Sequence, residues 1–253
     1  MNLQLIRNAT LLLDYAGYHI LIDPYFSPKH TLPSYTGKSP NPLVDLPLST
    51  DDILRGVQLV IVSHLHSDHF DKVAHELVPK NLPLLCQPGN EQTIREKGFL
   101  DVMPITEPAT VGGITITRTD GHHGAGEVES KMGKVSGFVF QAQGEPTLYW
   151  AGDTLFCAEV QTAIQTFNPD LIVTHSSGAT WPDDQGQRSL IVMDAAQTVA
   201  VCQFAPSARV IATHMEALDH GTVTRSDLRV AAIQAGISNT RLLIPANGER
   251  INF

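Results

Sequence analysis

Basic residues are scarce in this 253-residue chain: 17 lysines and arginines stand against 26 acidic residues, for a formal net charge of −9. Phosphate backbones are gripped by basic surfaces, so broad nucleic-acid binding is argued against. Long apolar runs are also missing, and none approaches the ~20 residues of a membrane span. The opening "MNLQLIRNATLLLDY" lacks a basic n-region, a long apolar stretch and a small-residue cleavage site. No secretory signal is therefore expected. Cysteines number three, Cys86, Cys157 and Cys202, widely spaced and odd in count. They do not form a disulfide framework, and a reducing cytoplasm is the expected compartment. No Gly-x-Ser-x-Gly elbow, Gly-rich phosphate cradle, fixed-period repeat, low-complexity tract or linker appears. The expectation is one domain spanning 1–253.

Histidine, in contrast, is plentiful at 11 residues, and its placement matters more than its number. Short β-prone runs open the chain in "LQLIRNATLLLDY" and "YHILIDPYF", with Ala16-Gly17 as a turn between them. A Pro-rich segment over 24–50 follows with little periodicity, a loop length that is uncommon unless functional. A helix is expected at 50–56, where Ser49, Thr50 and Asp51 offer capping oxygens. Beyond it "VQLVIVSH" reads as a buried strand, "DKVAHELVPK" and "GNEQTIREKG" as helices, and "LPLLCQ" as a strand between them. Three more β runs, "ATVGGITITRTD", "VSGFVFQAQ" and "PTLYWAGD", come next. Helices at about 157–167, 192–204 and 224–235 then alternate with the strands "DLIVTH", "ARVIATH" and "RLLIP". This order predicts an α/β (α+β) chain with two sheets packed together and helices outside, an αββα four-layer sandwich.

Metal-capable residues recur just past the ends of apolar strands. His64 follows "LVIVS", Asp120 to His123 follow "ITITRT", Asp153 follows "LYWAG", His175 follows "LIVT" and His214 follows "VIAT". Strand ends are where such architectures build sites, so five coincidences imply an active-site edge. The densest stretch is "SHLHSDHF". His64 and His66, two apart in extended chain, face one side, while Asp68 and His69 lie on the turn beyond. One segment can then serve two adjacent ions. Imidazole and carboxylate without nearby thiolate suit Zn²⁺, Fe or Mn²⁺. Asp183-Asp184 in "WPDDQGQR" reads as a solvated loop, and His19, His30 and His75 as surface residues.

The run His64-Leu65-His66-Ser67-Asp68-His69 matches the His-x-His-x-Asp-His signature, and the chain resembles the metallo-β-lactamase superfamily along its whole length. "LIDP", "GHHGAGEV", "GDT" and a late strand-end histidine follow the family order. The resemblance implies a first metal held by His64, His66 and one residue of "GHHG". His123 is favoured over His122 because "HG-x-G" is similar to the lactonase-like branch. A second metal would be held by Asp68, His69 and His214, with Asp153 bridging both ions. Asp23 resembles an acid that orients a ligand histidine. His122, His175 and His220 are candidates for orienting ligands or facing substrate, and Asp68 for catalysis.

The branch of nearest likeness is that of ascorbate-6-phosphate lactonase and N-acylphosphatidylethanolamine phospholipase D-like hydrolases. The implied activity is hydrolysis of a small ester, lactone or phosphodiester by a hydroxide bridging two divalent ions, Zn²⁺ first. Two alternatives are a mononuclear-iron persulfide dioxygenase and an inactive metal-binding protein. The partner is a small molecule, an anionic one included, and assembly into a homo-oligomer stays open. The 24–50, "GHHGAGEVESKMGK" and "SSGATWPDDQGQRS" loops are expected to hold specificity. Tyr25, Tyr35, Trp181, Arg188 and Arg225 are their substrate-contact candidates; Arg225 could instead begin a helix capped by Thr224 and Asp227.

Overall fold

The computed structural model describes residues 1–253. The chain begins with β1 (Asn2–Arg7), β2 (Thr10–Tyr15), β3 (Tyr18–Ile22), α1 (Thr50–Leu54), β4 (Leu59–Val62), α2 (Lys72–Leu77), β5 (Leu84–Cys86), α3 (Glu91–Glu96) and β6 (Val102–Pro104). It continues with β7 (Ala109–Val111), β8 (Ile114–Thr119), α4 (Glu127–Met132), β9 (Gly137–Gln141), β10 (Leu148–Trp150), α5 (Ala158–Phe167) and β11 (Leu171–His175). It ends with β12 (Thr180–Pro182), β13 (Arg188–Leu190), α6 (Ala195–Phe204), β14 (Arg209–Thr213), α7 (Arg225–Gln234), β15 (Leu242–Leu243) and β16 (Arg250–Asn252).

Two seven-stranded sheets result, ordered β16-β1-β2-β3-β4-β5-β6 and β15-β14-β11-β10-β9-β8-β7. Each is antiparallel over one half and parallel over the other. The parallel halves explain the unbroken apolar strands, because both faces of such strands are covered. Leu59 and Ile61 point inward to Phe138, Phe140, Trp150 and Val173 of the facing sheet. Val60 and Val62 point outward beneath Ile53, Ala74 and Ile94 of the helices. On the other sheet Ile172 and Val210 meet Val160, Val201 and Leu228 in the same way. The expected αββα layering is therefore the observed one. Ser49, Asp71 and Asp194 cap α1, α2 and α6 through side-chain oxygens, and Thr224 with Asp227 forms a capping box on α7.

Two expected β runs fold back on themselves. "LQLIRNATLLLDY" is a hairpin, turned at Asn8, whose φ of 60° is one that asparagine tolerates. "ATVGGITITRTD" turns at Gly112 and Gly113, with φ of 54° and 83°, values that suit a two-residue hairpin loop. A side chain at Gly112 would strike the Tyr18 ring. Elements not expected at all are β6, α4, the β12–β13 hairpin and β16, each at most six residues long. Such short pieces carry no readable periodicity; α4 and the hairpin lie inside segments expected to be loops.

The sheet order decides where the site forms. β1, β3 and β4 run in one direction, so Asn8, Asp23 and His64 leave the same edge. β8, β10, β11 and β14 are likewise co-directional, and their ends carry His122 and His123, Asp153, His175 and His214. A backbone bond from His214 N to Asn8 O, 2.9 Å, joins the two sheets at that edge.

Candidate metal centre

His64, His66 and His123 bring their ligand nitrogens within 4.8 Å of one another. Neighbouring groups fix the rings. Ser63 Oγ donates to Asp23 Oδ2 at 2.7 Å, so it accepts from His64 Nδ1 at 2.9 Å. His64 Nε2 is then buried with no hydrogen-bond partner. His123 Nδ1 donates to the Ile191 carbonyl at 2.7 Å, which leaves its Nε2 to the cluster. This tethering at Nδ1 is what metal-ligating imidazoles ordinarily receive.

A second group joins His69, Asp153, His175 and His214, again with ligand atoms within 4.8 Å. Asp68 Oδ2 lies beside it, 3.1 Å from His214 Nε2 and 3.5 Å from His69 Nε2. His69 Nδ1 donates to Asp23 Oδ2 at 2.7 Å, and Asp23 Oδ1 accepts from Ser63 N at 2.8 Å. Asp23 thus ties the tethers of both groups together. Asp153 sits between them. Its Oδ2 is 3.1 Å from His69 Nε2, 3.5 Å from His123 Nε2 and 3.9 Å from His64 Nε2. Its Oδ1 is 3.7 Å from His214 Nε2 and 2.5 Å from His175 Nδ1. Gly152, at φ 72°, turns the chain into that position; a Cβ there would meet Ser136 O at 2.7 Å. Asp23 and His214 also hold positive φ, at 47° and 60°, as residues at functional sites often do.

The charges fit divalent cations. Burial lowers His64 well below its ordinary value, reinforced by His69 and His66, and pushes His123 down to about 4. Those rings are neutral, the state in which imidazole binds a metal. Burial opposes ionisation of Asp68 and Asp153, yet the His69 and His214 imidazoles hold both carboxylates well below the usual range. Burial also works against a charge on His69, but Asp153, Asp68 and Asp23 overcome it and raise it well above its ordinary value. Three buried carboxylates thus gather positive charge at the second group. An orphaned Nε2, tethered rings and this carboxylate excess make the donor set one that fits divalent metal.

The adjacent histidines go separate ways. His122 turns outward, its Nδ1 bonded to Glu129 and its Nε2 3.1 Å from Glu159, and it joins neither central group. His175 packs under Trp150, ring centroids 5.0 Å apart, with Nδ1 on Asp153 and Nε2 buried without a partner. His220 lines a cavity of about 270 Å³ that opens onto His66, Asp68, His123 and Asp153. Burial pushes its pKa down to about 4, so the ring is neutral. A larger cavity, about 540 Å³, lies on the His122 side and touches none of the clustered ligands except through that neighbour.

Each loop expected to hold specificity reaches the smaller cavity: Tyr35 from 24–50, Lys131 and Met132 from α4, and Trp181 from β12. Other candidates do not. Tyr25 is fully buried under the Arg7 guanidinium, 4.6 Å from its ring centroid. Arg188 bonds Thr180, and Arg225 is held by Glu216, Pro245 and Asn247. Asp183 closes the β12–β13 turn and Asp184 pairs with Lys131 at 2.7 Å. His19 is paired with Asp14 at 2.5 Å, His30 is exposed and His75 is half-buried.

Several supporting residues escaped sequence reasoning. Asn8 Nδ2 lies 3.1 Å from both Asp68 O and Asp68 Oδ2; the signal available was an asparagine between two β-prone runs. Arg7 is buried and donates to Val44, Tyr25 and Ser27 carbonyls. Asp219 accepts from Ser34, Tyr35, Thr36 and Asn41. These two residues pin the 24–50 loop, and nothing local in the sequence marks them.

Residues 18–215 match the beta-lactamase superfamily domain. The UPF0173 protein YddR of Bacillus subtilis (strain 168) is 37% identical over 259 residues, covering 100% of both chains. Two solved structures are similar throughout. The isothiocyanate hydrolase from Delia radicum gut bacteria has a TM-score of 0.91 at 35% identity, covering 100% of this chain and 99% of that one. A "possible metal-dependent hydrolase" from Veillonella parvula DSM 2008 has a TM-score of 0.95 at 34% identity, with the same coverage. With this likeness added to the two donor groups, the chain belongs to the beta-lactamase superfamily and is a metal-dependent hydrolase.

Proposed function

We propose that the protein is a dinuclear hydrolase of small electrophiles, an ester or lactone above all, with phosphodiesters as a further class. The observation that carries this reading is Asp153, whose Oδ2 lies within 3.9 Å of His64, His69 and His123 nitrogens while Oδ1 faces His214. His64, His66 and His123 would hold one ion; Asp68, His69 and His214 the other, with Asp153 shared. Two divalent ions, Zn²⁺ first, supply an acidified water and a Lewis acid for the substrate oxygen.

The chain's own residues do the rest. Asp68 lines the cavity, is held ionised by His69 and His214, and is fixed by the Asn8 amide. That makes it the acceptor that orients the attacking water and passes its proton to the leaving group. Asp23 keeps His69 and, through Ser63, His64 in the tautomer that offers Nε2. The similar isothiocyanate hydrolase adds heterocumulenes to the substrates worth testing, because their central carbon is attacked by the same kind of nucleophile.

The experiment is metal analysis of protein purified without added metal, followed by turnover of aryl esters, lactones, phosphodiesters and isothiocyanates after Zn²⁺ or Mn²⁺ loading. About two ions per chain with hydrolytic turnover is the expected result. A single iron with oxygen uptake on a persulfide would replace this reading with a dioxygenase.

A further inference from the structure

His220 belongs to neither donor group, yet it is 7% exposed and lines the same cavity as Asp68, His123 and Asp153. Its Nδ1 is occluded and has no hydrogen-bond partner. A neutral imidazole carries one N–H and one lone pair, so the polar atom left for the cavity is Nε2. What holds the ring is aromatic packing. Tyr35 stands 4.9 Å away at 81°, Trp181 6.5 Å away at 89°, and these two rings meet each other at 6.0 Å. Tyr35 is itself tied to Ser67 Oγ at 2.9 Å. Three edge-to-face rings thus present one unused imidazole nitrogen next to the donor cluster, with little freedom to move.

The remaining wall defines what fits there. Met132 and Ile191 add apolar surface, and Lys131 is the one cationic side chain lining the cavity. That lysine is already paired with Asp184 at 2.7 Å. Away from the proposed metal positions, no side-chain cation without a carboxylate partner is therefore left for an anionic arm. A volume of about 270 Å³ equals about nine waters at ~30 Å³ each, room enough for a phenyl ester.

We infer that this site takes an uncharged electrophile with a compact flat apolar arm, and that His220 is the positioning residue that donates Nε2–H to its heteroatom. The arm lies against Trp181, Tyr35, Met132 and Ile191, while the reacting carbon faces Asp68 and Asp153. Rejection of anionic arms follows from the lack of an unpaired side-chain cation along that wall, and selection of a hydrogen-bond acceptor follows from the otherwise unpaired imidazole. This inference rests on the hydrolytic reading of the same site.

The test uses the zinc-loaded full chain, with phenyl acetate and 4-acetoxybenzoate, which adds a carboxylate at the far end of the arm. Wild type should favour phenyl acetate by about tenfold or more in kcat/KM, the cost of leaving a charge without a partner. His220→Ala should lower kcat/KM on phenyl acetate about 30-fold, a loss typical of a buried hydrogen bond left unmade, with metal content unchanged. His220→Gln should recover part of that loss, because an amide N–H can stand in. An unchanged kcat/KM in His220→Ala, loss of metal from that variant, or a preference for the charged ester would each overturn the inference. If wild type hydrolyses no ester at all, that finding overturns the choice of reaction instead. Calorimetric titration with benzamide, a stable neutral probe, then still decides the role of His220. It should bind wild type about tenfold or more tightly than His220→Ala; equal affinities, or no binding to wild type, overturn the inference.

Discussion

Replacing Asp219 with alanine tests how the active-site loops are held. The side chain is 8% exposed and accepts five hydrogen bonds from the 24–50 loop. They come from Ser34 Oγ at 2.5 Å, Tyr35 N and Thr36 N at 3.0 Å, Thr36 Oγ1 at 2.6 Å and Asn41 Nδ2 at 3.0 Å. Burial alone would raise the carboxyl, yet the Ser34, Thr36 and Asn41 donors hold it well below the usual range. Bonds to a charged acceptor are worth about 1.5–3 kcal/mol each taken singly, but they share one desolvation cost and do not add.

Breaking a buried charged cluster costs about 3–5 kcal/mol, and loop donors near the surface recover some hydration in the variant. The expected loss is about 3 kcal/mol, or about 6–12 °C in Tm for a chain of this size. Urea unfolding at one fixed zinc concentration measures it, since metal linkage is then common to both proteins. The sign of the pH dependence is settled by the direction of the shift. A lowered folded pKa contributes stability that is full above the unfolded value and lost as pH falls through the folded one. The gap between wild type and Asp219→Ala should therefore hold steady down to about pH 4, the unfolded carboxyl range, and shrink only below it. A difference under about 1 kcal/mol, the worth of a single ordinary hydrogen bond, would refute the idea that this carboxylate anchors the loop.

Three further outcomes are expected. His123→Ala should lose the metal of the first group by mass spectrometry while His122→Ala keeps it, because only His123 Nε2 faces that group; the reverse pattern would mean that the outward ring is the ligand. Asp23→Asn should weaken metal affinity about 10–100-fold in chelator competition, as loss of an orienting carboxylate ordinarily does. Trp150→Ala should cost about 3–5 kcal/mol in chemical denaturation, since the indole is fully buried between the sheets, and a loss below that range would mean the core collapses around the gap.

Layering and metal chemistry were legible because both are written locally. Unbroken runs such as "LVIV" record strands covered on two faces, and Asp71 or Asp194 before a helix records a cap. The turn at Asn8 was not legible, since "IRNAT" has β-prone residues on both sides and no glycine. Nor were α4 and the β12–β13 hairpin, whose few residues are stabilised by contacts such as Val128 with Ala179 and Ile191. Those partners lie some fifty residues or more apart in the chain.

By itself the sequence determined the donor types, the αββα layering and the clustering of His64, His66, Asp68 and His69 on one strand-end turn. Periodicity and spacing are short-range properties, readable within a few residues. The tertiary structure decided which of two adjacent histidines turns inward, that Asp153 stands between the donor groups, and that His220 meets Tyr35 and Trp181 at the cavity. Ring orientation and convergence depend on which strands lie side by side, and that is a matter of long-range packing.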